Sequence, residues 1–238
     1  MRYFSDFLEL LFPRYCPVCG ARLAASQQVM CAFCFSQLPF THIRGKRENY
    51  VERLFWDLPI QRASSYLHYR QDSSTQRLLH MLKYYDRPQV GQFFGRAMAN
   101  DLLGSDFFDG VDVLLPVPLS KERQHRRGYN QSMALAEGVA QITKLPIDTH
   151  SSVRVVDNPT QTSLTRDERK VNVAGIFSVT NAENLRGRHL LLIDDVLTTG
   201  ATLRELISTL ASIEGLRVSV LTLALAGGTL LPINTQEP

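Results

Sequence analysis

No stretch of this 238-residue chain approaches the roughly 18 uninterrupted apolar residues that a transmembrane helix needs. Low-complexity tracts and fixed-period repeats are missing too, which excludes solenoids, rods and repeat arrays. Charge of one sign is scarce. With 26 Lys and Arg against 23 Asp and Glu the formal net charge is only +3, too little by itself to argue for a nucleic-acid partner. The opening "MRYFSDFLELLFPRYC" is apolar, but Asp6 and Glu9 interrupt it and no small-residue cleavage site follows. It therefore reads as a short amphipathic helix, not a secretory signal. These absences predict a soluble, cytoplasmic protein. The hydrophobic share of 44% is that of an ordinary globular chain, and the length allows one domain plus a small appendage.

No cysteine lies outside "CPVCGARLAASQQVMCAFC". Cys16 and Cys19 form one C-x-x-C, Cys31 and Cys34 a second, with 11 residues between the pairs. Two residues between thiolates let a tight turn aim both sulfurs at one ion, and two such knuckles fill the tetrahedral shell of structural zinc. Gly20 suits the first turn. The alternative, two disulfides or redox-active pairs, lacks both a secretory signal and a thioredoxin-like context. A zinc shell filled by sulfur is closed to substrate, so the chemistry is expected elsewhere.

After Cys34 the chain is polar and irregular, with scattered aromatics, and reads as a linker with a boundary near residues 45–60. Beyond it "RASSYLHYR" alternates like a strand, while "SSTQRLLHMLKYY" and "QVGQFFGRAMANDLL" have helical spacing. "VDVLLPV", "HLLLI" and "LRVSVLTLALA" read as buried strands, with helices predicted at "NQSMALAEGVAQIT" and "ATLRELISTLASI". Strands apolar on both faces and alternating with helices predict an α/β class, a mostly parallel sheet flanked by helices. The expected division is residues 1–50 for the N-terminal helix, zinc module and linker, and 51–238 for the sheet domain, each with its own core.

"HLLLIDDVLTTGATLREL" carries the chemistry. Leu190 to Ile193 are expected as a central strand that delivers Asp194 and Asp195 to its carboxyl end, where open parallel sheets bind ligands. Thr198, Thr199 and Gly200 form a turn, and Thr202 with Glu205 fits a capping box opening a helix. Free amides at a helix start attract phosphate. The glycine fingerprint of a dinucleotide fold and the lysine of a P-loop are both missing. The paired acids therefore suit vicinal hydroxyls, or a magnesium ion beside a phosphate.

"LLLIDDVLTTGAT" resembles the phosphoribosyl-pyrophosphate (PRPP) motif of type I phosphoribosyltransferases. The resemblance implies that Asp194 and Asp195 bind ribose hydroxyls and that Thr198, Thr199, Gly200, Ala201 and Thr202 hold the 5-phosphate, with magnesium accompanying PRPP. "LLPVPLSKERQHRRGYNQ" is similar to the pyrophosphate-loop region of glutamine-type amidophosphoribosyltransferases. There Ser120, Lys121, Arg123, Arg126 and Arg127 would meet pyrophosphate. "NPTQTSLTRDERKVNV" looks like their flexible catalytic loop, with Gln161, Arg166, Arg169 and Asn172 available to close over PRPP. Lys83 in "LKYYDRP" is a weaker candidate for a phosphate contact.

Together with the cysteine knuckles, these segments resemble the ComF family over nearly the whole chain. Membership implies a zinc module fused to a phosphoribosyltransferase domain and an association with DNA uptake in natural transformation. It does not name an acceptor. Two functions follow as expectations: a PRPP-dependent transferase in which Asp194, Asp195, Arg166 and Arg169 act in catalysis, or a protein without turnover. The second would sense PRPP, or bind single-stranded DNA through the zinc module and the segment from Lys121 to Arg127 with Tyr129.

Overall fold

The computed structural model describes residues 13–71, 73–155 and 175–227. In chain order its elements are α1 (Ala32–Ser36), α2 (Tyr50–Arg53), β1 (Ile60–Tyr69), α3 (Ser74–Tyr84), α4 (Pro88–Leu102), β2 (Val113–Pro116), α5 (Lys121–Arg127), α6 (Gln131–Thr143), β3 (Ser152–Arg154), β4 (Phe177–Val179), β5 (His189–Leu197), α7 (Ala201–Leu210) and β6 (Arg217–Ala226). Two expected features, the amphipathic helix at the start and the loop carrying Gln161, Arg166, Arg169 and Asn172, lie outside the described residues.

Four strands form a sheet in the order β1-β6-β5-β2, and every neighbouring pair is parallel. Leu190, Leu191, Leu192 and Ile193 are completely buried, as a strand covered on both faces requires. The outer edge of β1 is closed by the chain before it: Thr41 N–H donates to the Tyr66 carbonyl at 3.0 Å and His68 N–H to the Pro39 carbonyl at 2.7 Å. β3 and β4 form a separate antiparallel pair.

The helices after β2 and β5 pack on opposite faces. α6 puts Leu135, Ala136 and Val139 into one apolar cluster with α3 and α4. α7 puts Leu203, Leu206, Ile207 and Leu210 into a second cluster on the other face. Crossovers that diverge in this way leave a crevice outside the carboxyl ends of the strands between them. α6 also crosses α4 at very short range, since a Cβ on Gly95 would stand 2.1 Å from the Leu135 carbonyl oxygen and one on Gly138 2.2 Å from that of Gln92. That crossing fixes the start of α6 beside the crevice.

The expectation of two separate cores is not met. Cys16, Leu23, Val29, Met30, Cys34 and Leu38 of the cysteine module belong to the same cluster as Leu78, Phe94 and Leu135 of the sheet domain. So small a module has too little apolar surface to stand alone and buries what it has against α3 and α4. The segment read as a linker is equally bound in. Val51 and Phe55 are fully buried, and the guanidinium of buried Arg62 reaches Glu52 at 3.2 Å, Asp106 at 2.5 Å and the Gly45 carbonyl.

Candidate functional site

β5 carries the two acids near its carboxyl end, running on through Val196 and Leu197 past the expected stop at Ile193, and each acid has its own partner. Ser132 Oγ–H, at the start of α6, donates to Asp194 Oδ1 at 3.0 Å, and the Asp195 N–H donates to the same oxygen at 2.8 Å. Asp195 Oδ2 lies 3.1 Å from Lys83 Nζ, in the last turn of α3. Asn130 caps α6 and also donates through Nδ2 to the Val117 carbonyl at 3.0 Å, which ties the strand exit of β2 to the helix that carries Ser132. Burial, reinforced by the charge of Asp195, raises the Asp194 carboxyl to about 7.

Beyond the acids the chain turns at Gly200, whose φ of 77° favours glycine. The capping box expected at Thr202 and Glu205 is not formed. α7 begins two residues earlier than that box would place it, at Ala201 with Gly200 at the N-cap, and Glu205 accepts instead from the Gly175 N–H at 2.5 Å. Apart from a 3.4 Å contact from the Ala201 N–H to Thr199 Oγ1, no side chain among the described residues caps this first turn. The helix start is thereby left facing a cavity of about 190 Å³ lined by Asp194, Val196, residues 197–203, Arg123 and Arg154. Asp194 thus shares one cavity with Thr198, Thr199, Gly200, Ala201 and Thr202.

The basic segment divides. Arg123 lines the cavity, whereas Lys121 and Arg126 face solvent along α5. Arg127 turns inward and donates to Gln131 Oε1 at 2.6 Å, and Ser120 is spent capping α5 through the Arg123 N–H at 3.4 Å. Tyr129 is not an open stacking surface, because it is partly buried and packed against the core, with its hydroxyl donating to the Leu82 carbonyl. Burial, with the charges of Asp86 and Asp195, pushes that phenol up to about 12, so it stays a donor. Arg154 was not foreseen. It sits on the three-residue strand β3 with its guanidinium over the Phe177 ring, and a lone arginine in so short a strand gives no pattern to read. Ser132 was missed for a similar reason, since "NQS" looks like an ordinary helix start.

The four cysteines converge as their spacing suggested, with all four Sγ atoms within 4.8 Å of one another. Cys19 Sγ and Cys31 Sγ are 3.7 Å apart, close to the edge of about 3.8 Å that a tetrahedron of zinc–sulfur bonds near 2.3 Å implies. Gly20 has φ 73° in the first knuckle, and Cys31 caps α1 by accepting from the Cys34 N–H at 3.4 Å. Burial opposes ionisation of Cys16, yet backbone N–H groups of Cys31, Cys19 and Val18 outweigh it and bring the thiol down to about 6. The donor set and its spacing fit a structural zinc ion.

Comparison with known proteins agrees. Residues 126–236 match the model of the phosphoribosyl transferase domain and residues 7–46 that of the double zinc ribbon domain. Competence protein F of Haemophilus influenzae is 30% identical over 196 residues, which cover 82% of this chain and 77% of that protein. The chain belongs to the ComF family. Its ComF relatives include the DNA utilization protein YhgH of Escherichia coli, 29% identical over 80% of this chain and 81% of that one. Competence protein ComFC of Bacillus subtilis is 40% identical over 91 residues, 38% of this chain and 35% of its own. Among solved structures, the allosteric regulatory enzyme of purine biosynthesis aligns with a TM-score of 0.38 at 19% identity, covering 59% of this chain and 29% of that one. A hypoxanthine phosphoribosyltransferase of Staphylococcus aureus aligns at 0.35 and 15%, covering 58% and 64%. Among the described residues no helix is long and apolar enough to cross a membrane.

Two outcomes test this geometry. Because the cysteine module shares a core with the sheet domain, Cys31→Ser should lower the melting temperature of the whole chain in a single transition and abolish bound zinc in elemental analysis. Two separate transitions would contradict the shared core. Asp194 binds its proton more tightly in the folded chain than in the unfolded one, whose carboxyl titrates near 3.8. The contribution of Asp194 to stability therefore falls as pH rises from about 4 to about 7. Asp194→Asn should remove that fall, so calorimetry at pH 8 should show the variant melting above the wild type, with the difference shrinking toward pH 4.

Proposed function

We propose that this ComF-family protein binds PRPP at the carboxyl end of β5 and transfers or senses its phosphoribosyl group in a pathway of DNA uptake. The observation that carries the reading is the single cavity in which Asp194 meets the uncapped start of α7 across the Gly200 turn. The amides and hydroxyls of Thr198 to Thr202 suit a 5-phosphate, and Asp194 and Asp195 suit ribose hydroxyls, as acceptors of charge-assisted hydrogen bonds. Arg123 and Arg154 supply cations at the cavity wall, and Lys121, Arg126 and Arg127 of the same helix as Arg123 remain candidates for the pyrophosphate. Magnesium, when it arrives with PRPP, offsets part of the pyrophosphate charge. In a transfer, fixed cations stabilise departing pyrophosphate, and the resemblance adds Arg166 and Arg169, which lie outside the described residues, as catalytic candidates. Cytoplasmic location, and residues 1–50 and 51–238 as the two functional parts, belong to the same proposal.

A second reading, contact with single-stranded DNA, is favoured by a different surface from the one expected. A groove of about 510 Å³ between the cysteine module and α3 is lined by Tyr15, Arg77, His80, Tyr85 and Arg87, with Tyr15 58% and Tyr85 57% exposed. Exposed rings interleaved with guanidinium groups are what base stacking and phosphate contact require. The names of the relatives, competence protein F and DNA utilization protein, are in keeping with both readings.

Calorimetry with magnesium-PRPP tests the site. Asp195→Asn should weaken binding by about 1.5 to 3 kcal/mol, the range of a charged hydrogen bond. Gly200→Val places a β-branched side chain at positive φ and should abolish binding while the protein stays folded by circular dichroism. Undiminished binding in folded Gly200→Val would refute the phosphate loop. Release of pyrophosphate with trial acceptors separates transfer from binding alone.

A further inference from the structure

Lys83 stands at the paired acids in a way that the phosphate loop does not explain. Its ammonium lies 3.1 Å from Asp195 Oδ2, with only 25% of its own side chain and 14% of the aspartate's exposed, so solvent screens the pair weakly. Its backbone is held from two sides. Leu78, Leu79 and Leu82 anchor α3 in the core, and the Tyr129 hydroxyl donates to the carbonyl of Leu82, the preceding residue. The cation also sits in the last turn of its helix, where positive charge is favoured. Asp194 is engaged by Ser132 and by the Asp195 N–H, and the direct ion pair of Lys83 is with Asp195, although its charge also reaches Asp194. In the sequence this lysine reads as a phosphate contact; in the fold its partner is an acid.

We propose that Lys83 is a positioning residue that serves as the resident cation of the paired-acid site and competes with a divalent metal for Asp195. The inference rests on the PRPP reading of that site. An ammonium and a divalent ion on one carboxylate repel each other, so a metal that takes Asp195 must first displace Lys83. An ammonium has three donors, and one on Asp195 leaves two for a hydroxyl or phosphate oxygen of the ligand. A sugar phosphate therefore meets a site that already holds a cation, and its capture depends only weakly on added metal.

The test uses the full chain and its Lys83→Met and Lys83→Arg variants, each checked by circular dichroism. Manganese alone, followed through the paramagnetic resonance of the free ion, should bind Lys83→Met about tenfold or more tighter than wild type, the ratio that one charged hydrogen bond corresponds to. Lys83→Arg should stay near wild type. Calorimetry with PRPP in a chelator should retain binding in wild type and lose it in Lys83→Met, with magnesium restoring it. Equal manganese affinity in wild type and Lys83→Met, or an equal loss of PRPP binding in the chelator, would overturn the proposal. Failure of wild type to bind PRPP even with magnesium would instead refute the reading of the site, and the manganese comparison would still decide the role of Lys83.

Discussion

Two adjacent carboxylates near the end of a strand whose first five residues are buried are the constraint on which the rest of this architecture depends. A carboxylate taken out of water must find hydrogen bonds or an opposite charge, and two neighbours raise each other's cost. The chain answers with two helices. Ser132 at the start of α6 meets Asp194, and Lys83 at the end of α3 meets Asp195. Both helices must therefore sit at defined heights against the sheet. The close crossing of α4 and α6 at Gly95 and Gly138 and the bond from Tyr129 to the Leu82 carbonyl hold them there. The raised carboxyl of Asp194 indicates that ionising this acid in the fold costs stability.

The same face of the sheet carries the cysteine module. Cys16 and Cys34 lie in one apolar cluster with residues of α3 and α4, so a zinc ion that orders the knuckles also orders the surface against which α3 packs. α3 delivers Lys83 to the acids at one end and Arg77 and His80 to the groove beside Cys16 and Pro17 along its length. One helix thus touches the cysteine module, the groove and the paired acids.

Much of this was legible in the sequence because it follows from periodicity or fixed spacing. The four apolar residues before Asp194 form the central strand, and the strands read at "RASSYLHYR", "VDVLLPV" and "LRVSVLTLALA" and the helices at α3, α4, α6 and α7 stand within a few residues of their expected places. The two C-x-x-C pairs converge as expected. What could not be read depends on tertiary contact. Lys83 and Ser132 are ordinary helix residues until α3 and α6 are docked on the sheet, and Arg154 becomes a cavity residue only through the pairing of β3 with β4. The capping box failed because Gly200 in the left-handed region takes the N-cap two residues before Thr202 and frees Glu205 for Gly175. The separate cores failed because sequence spacing says nothing of where a small module buries its apolar face.

The central claim is that the end of β5 and the turn at Gly200 form one ligand site. The most direct measurement is a crystal structure of the protein grown with saturating magnesium and PRPP. The account predicts the 5-phosphate within hydrogen-bond reach of the amides and hydroxyls between Thr198 and Thr202, and the ribose hydroxyls on Asp194 and Asp195. A phosphate bound elsewhere, with that cavity filled by water alone, would contradict it.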